Sequence, residues 1–250
     1  MMEAEKYDTN AIIEINALKK TFGTNIVLND FNLKVKEGDN VVVIGKSGSG
    51  KSVLVKCIIG LMIPNSGTIK VFGDDVSKLS HEDLDKMRAK VGFLFQSNAL
   101  YDSMTIRENL EFPLRRHWIK DTKESMKNLV IEALTNVGLA DTMNMKPSEL
   151  SGGMRKRIAL ARTLILKPKI ILYDEPTSGL DPVTGREISN LIVEIQKKYN
   201  TTSIIISHDL NCAKITANKI VILIDGKCYA NGTFEELKKI SDIKVKQFFD

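Results

Sequence analysis

The chain has 250 residues, 43% of them hydrophobic and 27% charged, with a formal net charge of +5 at pH 7. This is ordinary globular composition, long enough for one sizeable domain with its own core, and it excludes a disordered or low-complexity chain. The basic surplus is small and spread along the sequence, so it predicts no nucleic-acid partner.

The first residues, MMEAEKYDTN, are polar and lack an apolar h-region, so no secretory signal is expected. Residues 11–44 alternate β-rich runs with turns: AIIEINAL, IVLNDFNLKV and NVVVIG, the last preceded by a turn at Glu37-Gly38. VVVI (41–44) is continuously apolar, as a strand covered on both faces should be. SVLVKCIIGLM then predicts a helix ending near Pro64, and GTIKVFG (67–73) another strand. Ser80 is a good N-cap for a short helix over HEDLDKMRA.

From about 97 to 166 the pattern turns helical. Asp121 and Glu124 predict a capping box for a helix with Met126, Leu129, Val130, Ala133 and Val137 on one stripe and Gly138 at its end. A second helix follows Ser151 and stops before Pro168. Strands return at KIILY (169–173), TSIIIS (202–207) and KIVILI (219–224). Between the first two, Asp181-Pro182 opens a helix whose inner face carries Ile188, Leu191, Ile192 and Ile195. Strand–helix alternation predicts a mainly parallel α/β core with a helical insertion near 97–160. No apolar run approaches the roughly 20 residues of a spanning helix, so a membrane role would come through partners. Cys57, Cys212 and Cys228 lack metal-ligand or disulfide spacing and read as free thiols in a reducing compartment.

Gly45-Lys46-Ser47-Gly48-Ser49-Gly50-Lys51-Ser52 fits G-x-x-x-x-G-K-[ST] and sits between a hydrophobic strand and a helix. Its glycines let the backbone wrap a polyphosphate and aim N–H groups at the oxygens, aided by the helix dipole. Lys51 can bridge β- and γ-phosphates, and the Ser52 hydroxyl can ligate Mg2+. Alone, this cradle leaves kinase, GTPase and motor ATPase open. About 120 positions later a buried strand ends in Asp174-Glu175. Alternation along a strand gives two adjacent acids separate tasks: Asp174 for Mg2+, Glu175 for the attacking water.

Leu150-Ser151-Gly152-Gly153-Met154-Arg155-Lys156-Arg157 selects the class. In this order with the cradle and Asp174-Glu175, it resembles the LSGGQ-type signature of ATP-binding cassette proteins, and the resemblance covers roughly residues 11 to 235. Met154 stands where glutamine is usual, a tolerable departure because serine and the glycine backbone make the phosphate contacts. The resemblance implies a P-loop NTPase (RecA-like) α/β core with an N-terminal antiparallel β subdomain and a helical signature subdomain. It implies a nucleotide-binding domain over 11–240, with its helical part at about 97–160, and a C-terminal tail at 241–250. ATP and Mg2+ are the implied ligands. Ser151, Gly152 and Gly153 of one subunit would close over ATP held by the other subunit's cradle, in a head-to-tail dimer. Gln96 is similar to the Q-loop glutamine that touches Mg2+, and His208 to the switch histidine at the γ-phosphate. Asp181, in Ser178-Gly179-Leu180-Asp181, is similar to the D-loop aspartate, and Phe22 to the aromatic that stacks on adenine.

The stretch from Ser97 to Arg115 looks like the ATPase subunits of Mce/Mla-type lipid transporters, which share FQSxALxxSMT followed by N-x-x-FPLR. LSGGMRKRIALAR and the ending GTFEELKKISDIKVKQFFD are similar to that group too. The resemblance implies transport of phospholipid or another hydrophobic substrate in a double-membraned bacterium, from the cytoplasmic face of the inner membrane. The implied partners are transmembrane permease subunits and an Mce-type substrate-binding protein. Two other readings compete: a soluble cassette acting on ribosomes or nucleic acid, and a regulatory switch with little turnover. The first usually carries two cassettes or a coiled-coil insertion, and intact Glu175 and His208 count against the second. Phe248 and Phe249 suggest that the tail docks on a neighbouring subunit or partner.

Overall fold

The runs read as strands sort into two sheets in a computed structural model, which describes residues 11–116 and 123–249. The cap at Asp121 and the polar first ten residues lie outside the described residues. The N-terminal part holds β1 (Ala11–Phe22), β2 (Asn25–Lys36), β3 (Asn40–Ile44), α1 (Lys51–Ile58), β4 (Ser66–Val71), β5 (Asp74–Asp75), α2 (His81–Ala89) and β6 (Val91–Leu94). Three helices follow: α3 (Ile106–Arg116), α4 (Lys123–Asn136) and α5 (Gly152–Leu164). The chain then runs through β7 (Ile170–Asp174), α6 (Pro182–Tyr199), β8 (Thr202–Ser207), α7 (Leu210–Thr216), β9 (Lys219–Ile224) and β10 (Lys227–Gly232). It ends with the short helices α8 (Phe234–Lys238) and α9 (Ile243–Lys246).

Among the described residues, one sheet has four antiparallel strands in the order β2-β1-β4-β5. The other has the order β10-β9-β3-β8-β7-β6 and is parallel except for the edge pair β10–β9. The central strands explain their unbroken apolar runs. Val41 and Val43 of β3 enter the core shared with α1 and the antiparallel sheet, while Val42 and Ile44 enter the core beneath the helices. β7 divides the same way, Ile170 and Leu172 to one core, Ile171 and Tyr173 to the other. Each such side chain, fully buried, stabilises the fold by ~1.5–3 kcal/mol, and both faces need covering for that gain.

Helices α3, α4 and α5 pack on one another, as the stripe on Val130, Ala133 and Val137 predicts. Asp181 caps α6 by accepting from Val183 N and Thr184 N, each at 3.0 Å. One expectation differs. Helix α1 stops at Ile58 instead of running to Pro64, because Gly60 takes φ +69° and the chain turns against α2. A Cβ at Gly60 would come within 2.9 Å of Leu84 Cδ1, so helix period alone cannot continue there. The tail packs on its own chain, with Val245 only 1% exposed and the Phe249 ring centroid 5.3 Å from that of Phe234. Cys57, Cys212 and Cys228 are free thiols, the first two buried, as expected.

Candidate functional site

The loop between β3 and α1 is shaped by contacts that no side chain would permit. A Cβ on Gly45 would meet Ser49 Oγ at 2.6 Å and Leu223 O at 2.9 Å. Gly50 has φ +102° and lies against Val27, whose carbonyl oxygen would be 2.8 Å from an added Cβ. Gly50 is also the N-cap of α1 and offers no side-chain acceptor, so the first-turn N–H groups remain available to an anion. This is the local reason for the glycines: the chain must curl tightly and present amides, not side chains.

Lys51 is buried, and its Nζ donates to Gly45 O (2.8 Å) and Lys46 O (3.1 Å), while Glu175 Oε1 stands 3.9 Å away. Burial pulls its amine below the ordinary lysine value, with Glu175 and Asp174 pulling it back up. The next side chain, Ser52, donates from Oγ to Asp174 Oδ1 at 2.9 Å. Asp174 shares strand parity with Ile170 and Leu172, whose face covers α1, and this is why its carboxylate meets Ser52. Glu175 would by parity point the other way. Instead it takes φ +52°, its N–H donates to Ile206 O at 2.9 Å, and its carboxylate swings over Lys51.

His208 follows β8 and faces Glu175. Its Nδ1 lies 2.8 Å from Glu175 Oε2, within hydrogen-bonding distance. Thr177 Oγ1 donates to Asp209 Oδ2 at 3.2 Å, tying the loop after Glu175 to the loop after His208. Lys156 of α5 donates from Nζ to Gln96 O at 3.1 Å while only 2% exposed. Burial lowers the Lys156 pKa, and the negative field of Asp174 and Glu175 opposes that shift.

These groups converge. One cavity of about 650 Å³ is lined by cradle residues Gly45–Gly48 and Gly50–Ser52 together with Gln96, Glu175 and His208, with Asp174 just behind Ser52. Ser49 lines an adjoining cavity of about 500 Å³. Ser151, Gly152, Gly153 and Asp181 do not line either cavity. Ser151 caps α5 by accepting from Met154 N at 3.3 Å, and Asp181 lies in a separate recess with Leu180 and Pro182. Phe22 is 47% exposed at the tip of the β1–β2 hairpin, beside Asn25, which does line the second cavity. Val27, Lys156, Gln247 and Phe248 stand at or beside the cavity without a motif that marks them for it. Lys156 had a signal: it precedes Leu160 and Leu164 by four and eight positions, which places it on their buried stripe.

A family model described as "ABC transporter" matches residues 28–178, more than half of the chain. A relative named "Probable ribonucleotide transport ATP-binding protein mkl" from Mycobacterium tuberculosis is 39% identical over 246 residues, 98% of this chain and 68% of its own. The "Intermembrane phospholipid transport system ATP-binding protein MlaF" of Haemophilus influenzae is 38% identical over 237 residues, 95% of this chain and 89% of its own. Among solved structures, the dimeric post-hydrolysis state of the ATP-binding cassette MJ0796 bound to ADP and Pi matches with a TM-score of 0.81 and 33% identity, covering 88% of this chain and 98% of that one. A cradle, two acids at a strand end and a signature helix, in the order of the family and on its fold, leave one assignment: the chain belongs to the ABC transporter family and is an ATP-hydrolysing cassette.

Proposed function

We propose that the chain drives a membrane transporter as a head-to-tail dimer, and that its cargo is a phospholipid or another hydrophobic envelope molecule. The observation that carries the dimer is the position of Ser151–Gly153. They stand at the N-terminus of α5 yet outside the cavity of their own cradle, so a second copy is needed to bring a signature to each cradle. The solved MJ0796 cassette is itself dimeric. The cargo reading is supported by the segments 97–115, 150–162 and 232–250 and by the relative named for phospholipid transport. Permease subunits, an Mce-type partner and a station on the cytoplasmic face of the inner membrane belong to the same reading. Among the described residues no helix is long and apolar enough to cross a membrane, so the passage itself falls to the partners.

In this reading the backbone amides of Gly45–Ser52 hold the phosphate chain and Lys51 neutralises its outer charge. Phe22 stacks on the base. Ser52 and Asp174 offer hard oxygen donors 2.9 Å apart, and Gln96 lines the same cavity as Ser52, a donor set that fits Mg2+. When bound, Mg2+ supplies charge neutralisation on the β- and γ-phosphate oxygens. Glu175 accepts the proton of the attacking water, and His208, hydrogen-bonded to Glu175 and lining the same cavity, contacts the γ-phosphate. Ser151, Gly152, Gly153 and Asp181 complete the site of the other copy.

Purification of the tagged chain from membranes, with mass spectrometry of co-purifying proteins and lipids, tests the proposal. A permease and enriched phospholipid are expected. Ribosomal proteins or nucleic acid in their place would refute the transport reading.

A further inference from the structure

The tail that sequence reading assigns to a neighbour reaches the nucleotide cavity of its own chain. Gln247 and Phe248 line both the cavity of about 650 Å³ and the adjoining one of about 500 Å³. The two cavities also share Val27 and Lys46–Gly48, so the tail stands at their junction. A phosphate chain in the cradle occupies one side of that junction. Beyond the cradle, the adjoining cavity is lined by Asn25–Val27 on one strand and by Gln247 and Phe248 of the tail.

The tail is held there from behind. Asp242 caps α9 by accepting from Lys244 N at 2.7 Å, and Tyr229 Oη donates to Asp242 Oδ2 at 2.6 Å. Val245 is 1% exposed, and the Phe249 ring packs edge-on against Phe234. Phe234 begins α8, itself closed by a capping box between Thr233 and Glu236. These anchors fix one side of the turn; Phe248 is half-buried against the core, Gln247 is exposed, and both still line the two cavities.

The chemistry of this wall differs from that of the cradle. Phosphate oxygens want cations and N–H donors, and a phenyl ring supplies neither. A ring suits the flat face of a base or the apolar face of a ribose. Nor does the tail plug the site, since about 650 Å³ remains with Phe248 in place, within the ordinary range for a small-molecule site. We propose that Phe248 is a nucleoside-binding residue: its ring forms a wall against the base and sugar of the nucleotide, so tail seating and nucleotide binding stabilise each other. The proposal rests on the Gly45–Ser52 loop being the nucleotide cradle.

The test uses two ligands that are not turned over, ADP and inorganic pyrophosphate, each with Mg2+, titrated calorimetrically into the full chain. Phe248→Ala is expected to weaken ADP about tenfold while leaving pyrophosphate within about twofold, and Phe248→Tyr to keep wild-type affinity for both. Bound ADP should also slow carboxypeptidase trimming of the last residues of the wild-type chain. Unchanged ADP affinity in Phe248→Ala would overturn the proposal. So would equal weakening of ADP and pyrophosphate, which marks a purely structural residue, or tighter ADP binding, which marks a plug. A wild-type chain that binds neither ligand would instead bring down the cradle reading beneath it.

Discussion

His208 and Glu175 come from loops after neighbouring strands, β8 and β7, and meet through Nδ1 and Oε2 at 2.8 Å. The carboxylate is nearly buried and the ring is not, with side-chain exposures of 10% and 64%. One member is fixed by the core and the other is free to read what lies outside.

This pairing sets the first prediction. Glu175→Gln keeps the side chain's size and removes its basicity, so ATP binding should persist while turnover falls by about 10²–10⁴-fold. His208→Ala should lower turnover while leaving ADP affinity near wild type. Single-turnover phosphate release is the measurement, and undiminished release in Glu175→Gln would remove the carboxylate from the mechanism.

A second prediction concerns the shared site. Neither the Lys51→Ala nor the Ser151→Ala homodimer should turn over ATP. A mixed dimer of the two chains retains one undamaged site, with both losses gathered in the other. Measured ATPase activity should therefore exceed that of either homodimer. Activity no higher than the homodimers' would argue for a site contained within one chain.

Glu111 on α3 gives a pH prediction. Its burial alone would raise its pKa, but hydrogen bonds from Arg107, at 2.6 Å, and from Arg115, with their charges, hold it below the ordinary value. A depressed carboxylate contributes stability that is full above the unfolded value of about 4.3 and lost as pH falls through the folded value. Glu111→Gln should thus be less stable at pH 7 by about 1–3 kcal/mol, with the gap closing toward pH 3. Urea unfolding across that range is the check; parallel curves for the two proteins would contradict it.

The signature glycines give a packing prediction. A Cβ on Gly153 would lie 2.7 Å from Thr184 Cγ2. Thr184 cannot swing aside freely, because its Oγ1 donates to Asp181 Oδ2 at 2.6 Å. Gly153→Ala should cost about 1–3 kcal/mol, and Thr184→Ser, which keeps the hydroxyl and drops the methyl, should recover most of it. A double-mutant cycle reads this directly, and a coupling below about 0.5 kcal/mol would dismiss the clash.

The legible parts of this protein are those fixed by local backbone demands. Gly45, Gly48 and Gly50 announce the cradle because only glycine permits its turns and close approaches. Ser80 and Asp181 announce helix starts because a cap is made within three residues. What the sequence hid is long-range. The apolar run at Ile58–Met62 keeps helical character, yet the chain turns at Gly60, where it packs closely on Leu84 from a later helix. The strand order β9-β3-β8-β7 joins segments far apart, and no local pattern encodes it. The signature and the cradle are both plain in the sequence, but their separation within one chain is visible only in the fold. Phe248 is apolar, but nothing near it in sequence says that it lines one cavity with Lys46 and Ser47.

Glu175 occupies a backbone conformation, φ +52°, in which glycine is at ease and any other residue carries a cost of about 1–3 kcal/mol. The left-handed turn is what brings the carboxylate over Lys51, so strain and chemistry are inseparable at this position. Glu175→Gly should therefore relieve the turn and empty the space over Lys51 in the same step.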